Sequence, residues 1–536
     1  MSAPTTHRTV LLRGGSVYSP ADPFATAMLA EGEHIAWVGS DGAAEAYAAT
    51  ADEVVELDGA LVTPAFVDAH VHATSAGLAL TGLDLTGCPS LAEALERIAA
   101  FAAAGEGVLI GHGWDEAKWP EGRAPSLAEL DAAAGGAALY LSRTDVHSAL
   151  ASTALRELTE GLASLPGYHP EGPVSRDAHH AVRQTALAEL TDAQRRAAQR
   201  ATLRRAAELG IGALHECAGP EISSEQDLAA LLALAAEGEG PEVFGYWGEL
   251  APAGVETARR LGALGAGGDL FADGAIGSRT ACLHAPYEDA DHTTGTAYLT
   301  AAQIADHVTA CTEAGLQAGF HAIGDAAIAA VLEGVRTAAG RVGLEAVRAR
   351  RHRVEHAEAL DEKSIAAFAE LGLTASVQPA FDAFWGGEDG MYVQRLGAER
   401  AAALNPFAAL LRAGVPLAFS SDAPVTPLDP WGTVRAAAFH RTLEHRVSVR
   451  AAFTAHTRGG WRAIGRDQDG VLVPGAVASY AVWAAGDLVV QAPDSRVAGW
   501  STDPRSGTPG LPDLTPGTPL PTCLRTVVRG RTVHTA

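Results

Sequence analysis

Two rhythms of apolar and polar positions run through most of this chain. Short apolar runs of strand length alternate with segments rich in Ala, Leu, Glu and Arg whose apolar residues recur three and four apart. LTDAQRRAAQRATLRRAAELG stands before IGALHEC in this way, and TAAQIADHVTACTEAG before LQAGFHAIGD. Strand and helix in repeated succession predict a parallel sheet covered by helices. The candidate strands are LVTPAFVDAHVH, IGALHEC, EVFGYWGEL, GDLFADG, LQAGFHAI, RHRVEHA, LTASVQP and VPLAFSSDAP, with GVLIGHGW and ALYLSRTD as two more. Eight or slightly more strands over about 400 residues predict an α/β fold, a (β/α)8 TIM-like barrel with an insertion around residues 85–180. A doubly wound open sheet is the alternative, but no G-x-G-x-x-G turn opens it.

The two ends have a different texture. VLLRGGSVYSP and MLAEGEHIAWVG near the start, and VASYAVWAAGDLVV and CLRTVVRGRTVH near the finish, are short β-rich runs punctuated by glycine. They are expected to pair into one small sheet domain of residues 1–62 and 473–536, leaving 63–472 for the barrel. The chain would then leave the small domain near Thr63 and return near Val473.

Composition narrows the class. With 47% hydrophobic and 19% charged residues over 536 positions, the chain reads as a folded globular protein with a sizeable core. Cys88, Cys217, Cys282, Cys311 and Cys523 are odd in number, scattered and never in a C-x-x-C pair, so neither a disulfide framework nor a thiolate zinc site is indicated. The first residues lack an apolar core and no run reaches about 18 apolar residues, so a cytoplasmic protein without a membrane span is expected. A formal charge of -25 repels phosphate backbones and argues against nucleic acid. The expected partner is a small-molecule substrate, with a homodimer left open.

In FVDAHVHA, His70 and His72 lie two apart on a predicted strand, so both imidazoles project from one face. Alone, H-x-H is a weak signal among 20 histidines. His321 in GFHAIGD, His356 in RVEHAE and Asp422 in FSSDAP each end a separate apolar run, where a barrel gathers its active-site residues. Singly, either histidine reads as a hydrogen-bonded structural residue and Asp422 as a helix N-cap. Five such residues in barrel order point to a metal site, and imidazole with carboxylate suits zinc or a similar divalent ion.

The set TPAFVDAHVH, GHGWDEAKWP, RTDVHSAL, FADGAIGSRTA, HAIGDAAI, RHRVEHAE, SVQP and SSDAPVTPLDP, in that order, resembles the amidohydrolase superfamily over nearly the whole chain. Within it, the branch with N-substituted formamide deformylases and related amidohydrolases is the most similar. The resemblance implies a metallo-hydrolase barrel beside a small β-sandwich built from the terminal segments. It matches His70 and His72 to the first metal-binding pair, His321 and His356 to the ligands of the fifth and sixth strands, and Asp422 to the proton-shuttling aspartate of the last strand. Substrate-binding roles are implied for Trp114, Asp115, His147, Arg279 and Gln378. Each has a plain structural reading too: Trp114 as core filling, Asp115 and Arg279 as salt-bridge partners, Gln378 as a cap before proline. Asp68 shares parity with the histidine pair and would orient a ligand or serve structure alone. Asp273 and Gly274 read as a turn.

One position departs from the family. Where the branch carries a lysine, carboxylated to bridge two metals, this chain has Asp269, four residues before Asp273-Gly274. A carboxylate on one methylene reaches the same point only if the strand moves inward by several ångströms. Either Asp269 ligates from closer in, or one ion is held by His70, His72, His321 and Asp422, with His356 near the substrate and Asp269 a ligand or a group bonded to one. The shorter side chain favours the second arrangement. One or two divalent ions, zinc foremost, are therefore expected. The implied activity is hydrolysis of a carbon-nitrogen bond, an amide of N-formyl or N-acyl type, by metal-activated water with Asp422 as proton shuttle. Rival readings are a deaminase of an amidine-like or heterocyclic substrate, a metal-dependent isomerase or decarboxylase, and a barrel that binds without catalysis.

Overall fold

The computed structural model describes residues 8–144, 148–490 and 509–536. Eight parallel strands form the central sheet: β1 Phe66–Val71, β2 Ile211–Ala218, β3 Glu242–Trp247, β4 Gly265–Ala266, β5 Gln317–Ala322, β6 Arg353–His356, β7 Thr374–Val377 and β8 Leu417–Phe419, neighbours in that order. The ring closes between its first and last members. Val71 bridges Ala423 in parallel, the Asp422 amide donates to the His70 carbonyl at 2.9 Å, and the His72 amide donates to the Ala423 carbonyl at 3.0 Å. This is the expected α/β barrel. All six residues of β1 are buried, as parallel strands covered on both faces require.

Local chemistry sets the connecting helices. In Ala301–Ala314 the buried residues Ile304, His307, Val308 and Cys311 form one stripe. Thr300 and Gln303 make a capping box at its start, and Gly315 in the left-handed region (φ 80°) ends it.

Among the described residues the terminal segments build a two-stranded sheet, Leu488–Val489 with Leu511–Pro512, and two larger ones. One has the order His34–Gly39, Ala27–Glu31, Thr9–Arg13, Glu53–Glu56; the other Ser16–Val17, Leu61–Pro64, Tyr480–Ala484, Thr522–Val528, Arg531–Thr535. Val10, Leu12, Met28, Val62, Tyr480 and Val482 share one apolar core between them. The predicted run LVTPAFVDAHVH is thus two strands separated by Ala65: Leu61–Pro64 pairs with Tyr480–Ala484, and β1 enters the barrel.

Residues Ala73–Thr202 form a second compact unit. Its sheet has the order Val174–Ser175, Ser148–Ala151, Leu139–Arg143, Leu109–Trp114, Leu83–Asp84. GVLIGHGW and ALYLSRTD, read from sequence as extra strands of the main sheet, are here parallel neighbours of each other, packing Leu109, Leu139 and Leu141 into this unit's own core. No helix among the described residues is long and apolar enough to cross a membrane.

Candidate active site

His70 and His72 leave the carboxyl end of β1, Asp269 follows β4, His321 sits on β5, His356 ends β6 and Asp422 follows β8. All six side chains are buried. Two of them face inward because of left-handed backbone at non-glycine residues: φ is 69° at His356 and 57° at Asp422. Such conformations are costly and cluster at functional sites.

Asp269 reaches the cluster by a route the sequence reading did not foresee. GDLFADG is not one strand; ladder pairing with β5 stops at Ala266–Ala318 and resumes only at Phe271–His321. Five steps along this segment therefore face three on β5, a bulge of two residues that re-aims the chain. Gly267 (φ 154°) and Gly268 (φ 81°) make it. A Cβ on Gly267 would lie 2.1 Å from the Gly319 nitrogen, so the two backbones touch. The bulge supplies the inward movement that one methylene cannot.

Asp269 Oδ1 lies 3.4 Å from His70 Nε2, 3.5 Å from His321 Nδ1 and 3.5 Å from His356 Nε2, and Oδ2 lies 3.2 Å from His72 Nε2. Asp422 Oδ1 is 3.4 Å from His70 Nε2 and 3.1 Å from His72 Nε2. The other nitrogen of each imidazole is anchored. His70 Nδ1 meets Glu355 Oε2 at 2.9 Å, His72 Nδ1 the Cys217 carbonyl at 3.0 Å, His321 Nε2 the Gly274 carbonyl at 3.1 Å, and His356 Nδ1 Gln378 Oε1 at 2.9 Å. These contacts fix each ring's tautomer and turn the opposite nitrogen inward. His70 Nε2, His321 Nδ1, His356 Nε2, Asp269 Oδ1 and Asp422 Oδ1 are all buried without a hydrogen-bond partner. Five orphaned polar atoms converging on one place is a cost that buried groups seldom bear unless a cation satisfies them.

The electrostatics agree. Burial alone would lower the His72 imidazole, yet the carboxylates of Asp269 and Asp422 beside it carry it up to about 10. Burial likewise opposes the charge on Asp269, but the charge of His70 and the imidazoles of His321 and His356 facing it hold its carboxyl well below the usual range. The pocket pulls positive charge into itself, and a divalent ion would meet that demand without protonating the rings. Two groups of closely spaced ligand atoms share Asp269: one with His70 and His72, the other with His321 and His356. A third joins His70, His356 and Asp422. The residues present fit a divalent cation.

The sequence signature of the amidohydrolase family matches residues 53–534. The chain belongs to the amidohydrolase family. This amidohydrolase is 28% identical over 512 residues to the protein LONG AFTER FAR-RED 3 of Arabidopsis thaliana, covering 88% of this chain and 86% of that one. It is 29% identical over 161 residues to the N-substituted formamide deformylase of Arthrobacter pascens, 28% of this chain and 29% of that one, so the branch named from the motifs is a distant relative. Among solved structures, an uncharacterized metal-dependent hydrolase from Pyrococcus furiosus superposes with a TM-score of 0.75 at 28% identity, covering 88% of this chain and 98% of that one. Family membership makes this chain a metal-dependent hydrolase of the amidohydrolase superfamily.

The remaining expected residues are placed variously. Gln378 uses its amide twice, accepting from His356 and donating to Ser420 Oγ at 2.9 Å. Arg279 pairs with Asp289 at 2.7 Å. Trp114 and Asp115 belong to the 73–202 unit, where the Trp114 indole donates to the Leu141 carbonyl at 2.9 Å and Asp115 pairs with Arg143 at 3.2 Å. His147 lies outside the described residues. Asp68 accepts from the Ser421 amide at 3.0 Å, and burial pushes its carboxyl up to about 6. Asp273 is a buried acceptor for the amides of Cys282, Ile323 and Gly324, which explains the Asp-Gly pair as structure. Sequence reasoning missed Arg353 and Glu355, both fully buried beside His70. The only signal was their charge inside an apolar run.

Proposed function

We propose that this amidohydrolase cleaves the carbon-nitrogen bond of a small N-acyl or N-formyl compound. The observation that carries the reading is the arrangement of four imidazoles, each anchored through one nitrogen and turning the other upon the carboxylates of Asp269 and Asp422. His70 and His72 would hold one divalent ion and His321 and His356 a second, with Asp269 shared between them and Asp422 at the first. Zinc suits this donor set. Such ions supply Lewis acidity, polarising the scissile carbonyl and letting water act as nucleophile near neutral pH.

Asp422 takes a proton from the attacking water and delivers it to the departing nitrogen, which leaves as amine while the acyl carbon keeps the hydroxyl as carboxylic acid. Its backbone, bonded to the His70 carbonyl where the barrel closes, holds the carboxylate at the mouth. Gln378 fixes the His356 ring. Arg279 is the candidate substrate contact, whereas Trp114 and Asp115 are bonded within the 73–202 unit.

Metal content per chain, measured by mass spectrometry on protein purified without chelator and paired with hydrolysis of N-formyl and N-acyl amines, tests the reading. About two ions with amine release are expected. One ion with full activity would sink the shared role of Asp269, and none with full activity would sink the metal reading.

A further inference from the structure

The four imidazoles are not anchored alike. His72 and His321 bond backbone carbonyls and His356 an amide oxygen, all neutral; of the four only His70 hydrogen-bonds a carboxylate by its outer nitrogen, the Asp273 carboxylate lying 3.9 Å from His321 Nε2. That carboxylate, Glu355, is wholly buried, and the guanidinium of Arg353 grips both its oxygens, with Nη2 at 2.9 Å from Oε2. Arg353 also donates to Ser376 Oγ at 2.9 Å on β7, to the Ala69 carbonyl on β1, and contacts His215 Nδ1 at 3.2 Å on β2. The Tyr246 ring of β3 lies 4.5 Å beneath it.

A buried ion pair is a poor way to fill a barrel. Desolvating two charges costs about as much as their attraction returns, and apolar residues of the same volume would serve stability equally well. A carboxylate drawing on the outer proton of an imidazole, by contrast, fixes its tautomer and raises its strength as a donor at the inner nitrogen. On the reading given under Proposed function, we propose that Glu355, clamped by Arg353, is a positioning residue that makes His70 the strongest neutral donor of the centre. The first ion to enter and the last to leave is then the one at His70.

Zn2+ affinity, measured on the full chain by competition with a chromogenic chelator and read beside the melting temperature of the apoprotein, tests this. Glu355→Gln keeps shape and size but removes the charge; its Zn2+ affinity should fall about 10- to 100-fold. The double variant Arg353→Met with Glu355→Leu restores a neutral core. Its apoprotein should melt at or above the wild-type temperature while Zn2+ affinity stays reduced. Wild-type affinity in Glu355→Gln, or recovery of affinity in the double variant along with its melting temperature, would overturn the proposal. Absence of Zn2+ binding by the wild type would instead overturn the metal reading on which it rests.

Discussion

Replacing Gly267 by alanine tests whether the bulge after β4 is what brings Asp269 into the centre. The added Cβ would sit 2.1 Å from the Gly319 nitrogen and 2.6 Å from its Cα. Both are backbone atoms of β5 and cannot swing aside, and ordinary contact begins at 3.4 Å, so the two chains must part by roughly 1.3 Å. Asp269, two residues on, would shift with them, and its present separations of 3.2 to 3.5 Å from four ring nitrogens would not be kept. Forcing a side chain onto φ 154° adds about 1–3 kcal/mol and overpacking a further 1–3, for a total of about 2–6 kcal/mol. Urea denaturation of the metal-free variant reads the stability, and mass spectrometry at low temperature, where the variant is folded, reads bound metal. Gly262→Ala is the control: φ is 72° but nothing lies within 4 Å, so it should cost about 1–2 kcal/mol and keep its metal. A Gly267→Ala protein as stable as the control, with full metal content, would refute the reasoning.

Asp422→Asn should lower kcat by about 10²–10⁴-fold while metal content stays near wild type, since the amide keeps an oxygen but cannot carry a proton; undiminished kcat counts against the shuttle. Burial pushes the Asp382 carboxyl up to about 6, so the folded state holds its proton where the unfolded chain has lost it. Its contribution to stability is present below about pH 4 and lost as pH rises through 6, on the order of 3 kcal/mol. Asp382→Asn should therefore remove that decline from a pH series of urea midpoints, and an unchanged slope would contradict the assignment. Chelation should lower the melting temperature and excess Zn2+ restore it, by about 2.7 kcal/mol at a hundredfold excess over Kd; a melting temperature indifferent to both would mean no ion is bound to the native state.

The barrel was legible because its strands end in chemistry: apolar runs stopping at His70, His321, His356 and Asp422 carry both the period of a parallel sheet and the residues of its rim. What escaped had physical causes. Glu355 neighbours His356, and strict alternation puts neighbours on opposite faces, so nothing in RVEHAE says that both point inward. The left-handed backbone at His356 does that, and no local propensity announces a positive φ at histidine. The route of Asp269 into the centre, though not the residue, was hidden by a similar gap, because two glycines in an apolar run read as weak strand when here they are bulge. GVLIGHGW and ALYLSRTD have strand periodicity, but periodicity does not say which sheet a strand joins, and theirs is the sheet of the 73–202 unit.

Leu61–Pro64 runs into β1 with only Ala65 between, and its partner is Tyr480–Ala484, more than four hundred residues further along. Trp483 donates to Thr63 at 2.9 Å and lays its ring against Phe66, the first residue of β1. During synthesis, then, His70 and His72 emerge among the first side chains of the barrel, yet the strand that braces their own is made only after all eight barrel strands. A nascent chain holding all six cluster residues would still lack the support that sets the first two. A ribosome-stalled product ending just after Asp422 should therefore bind Zn2+ weakly compared with one that extends past Ala484.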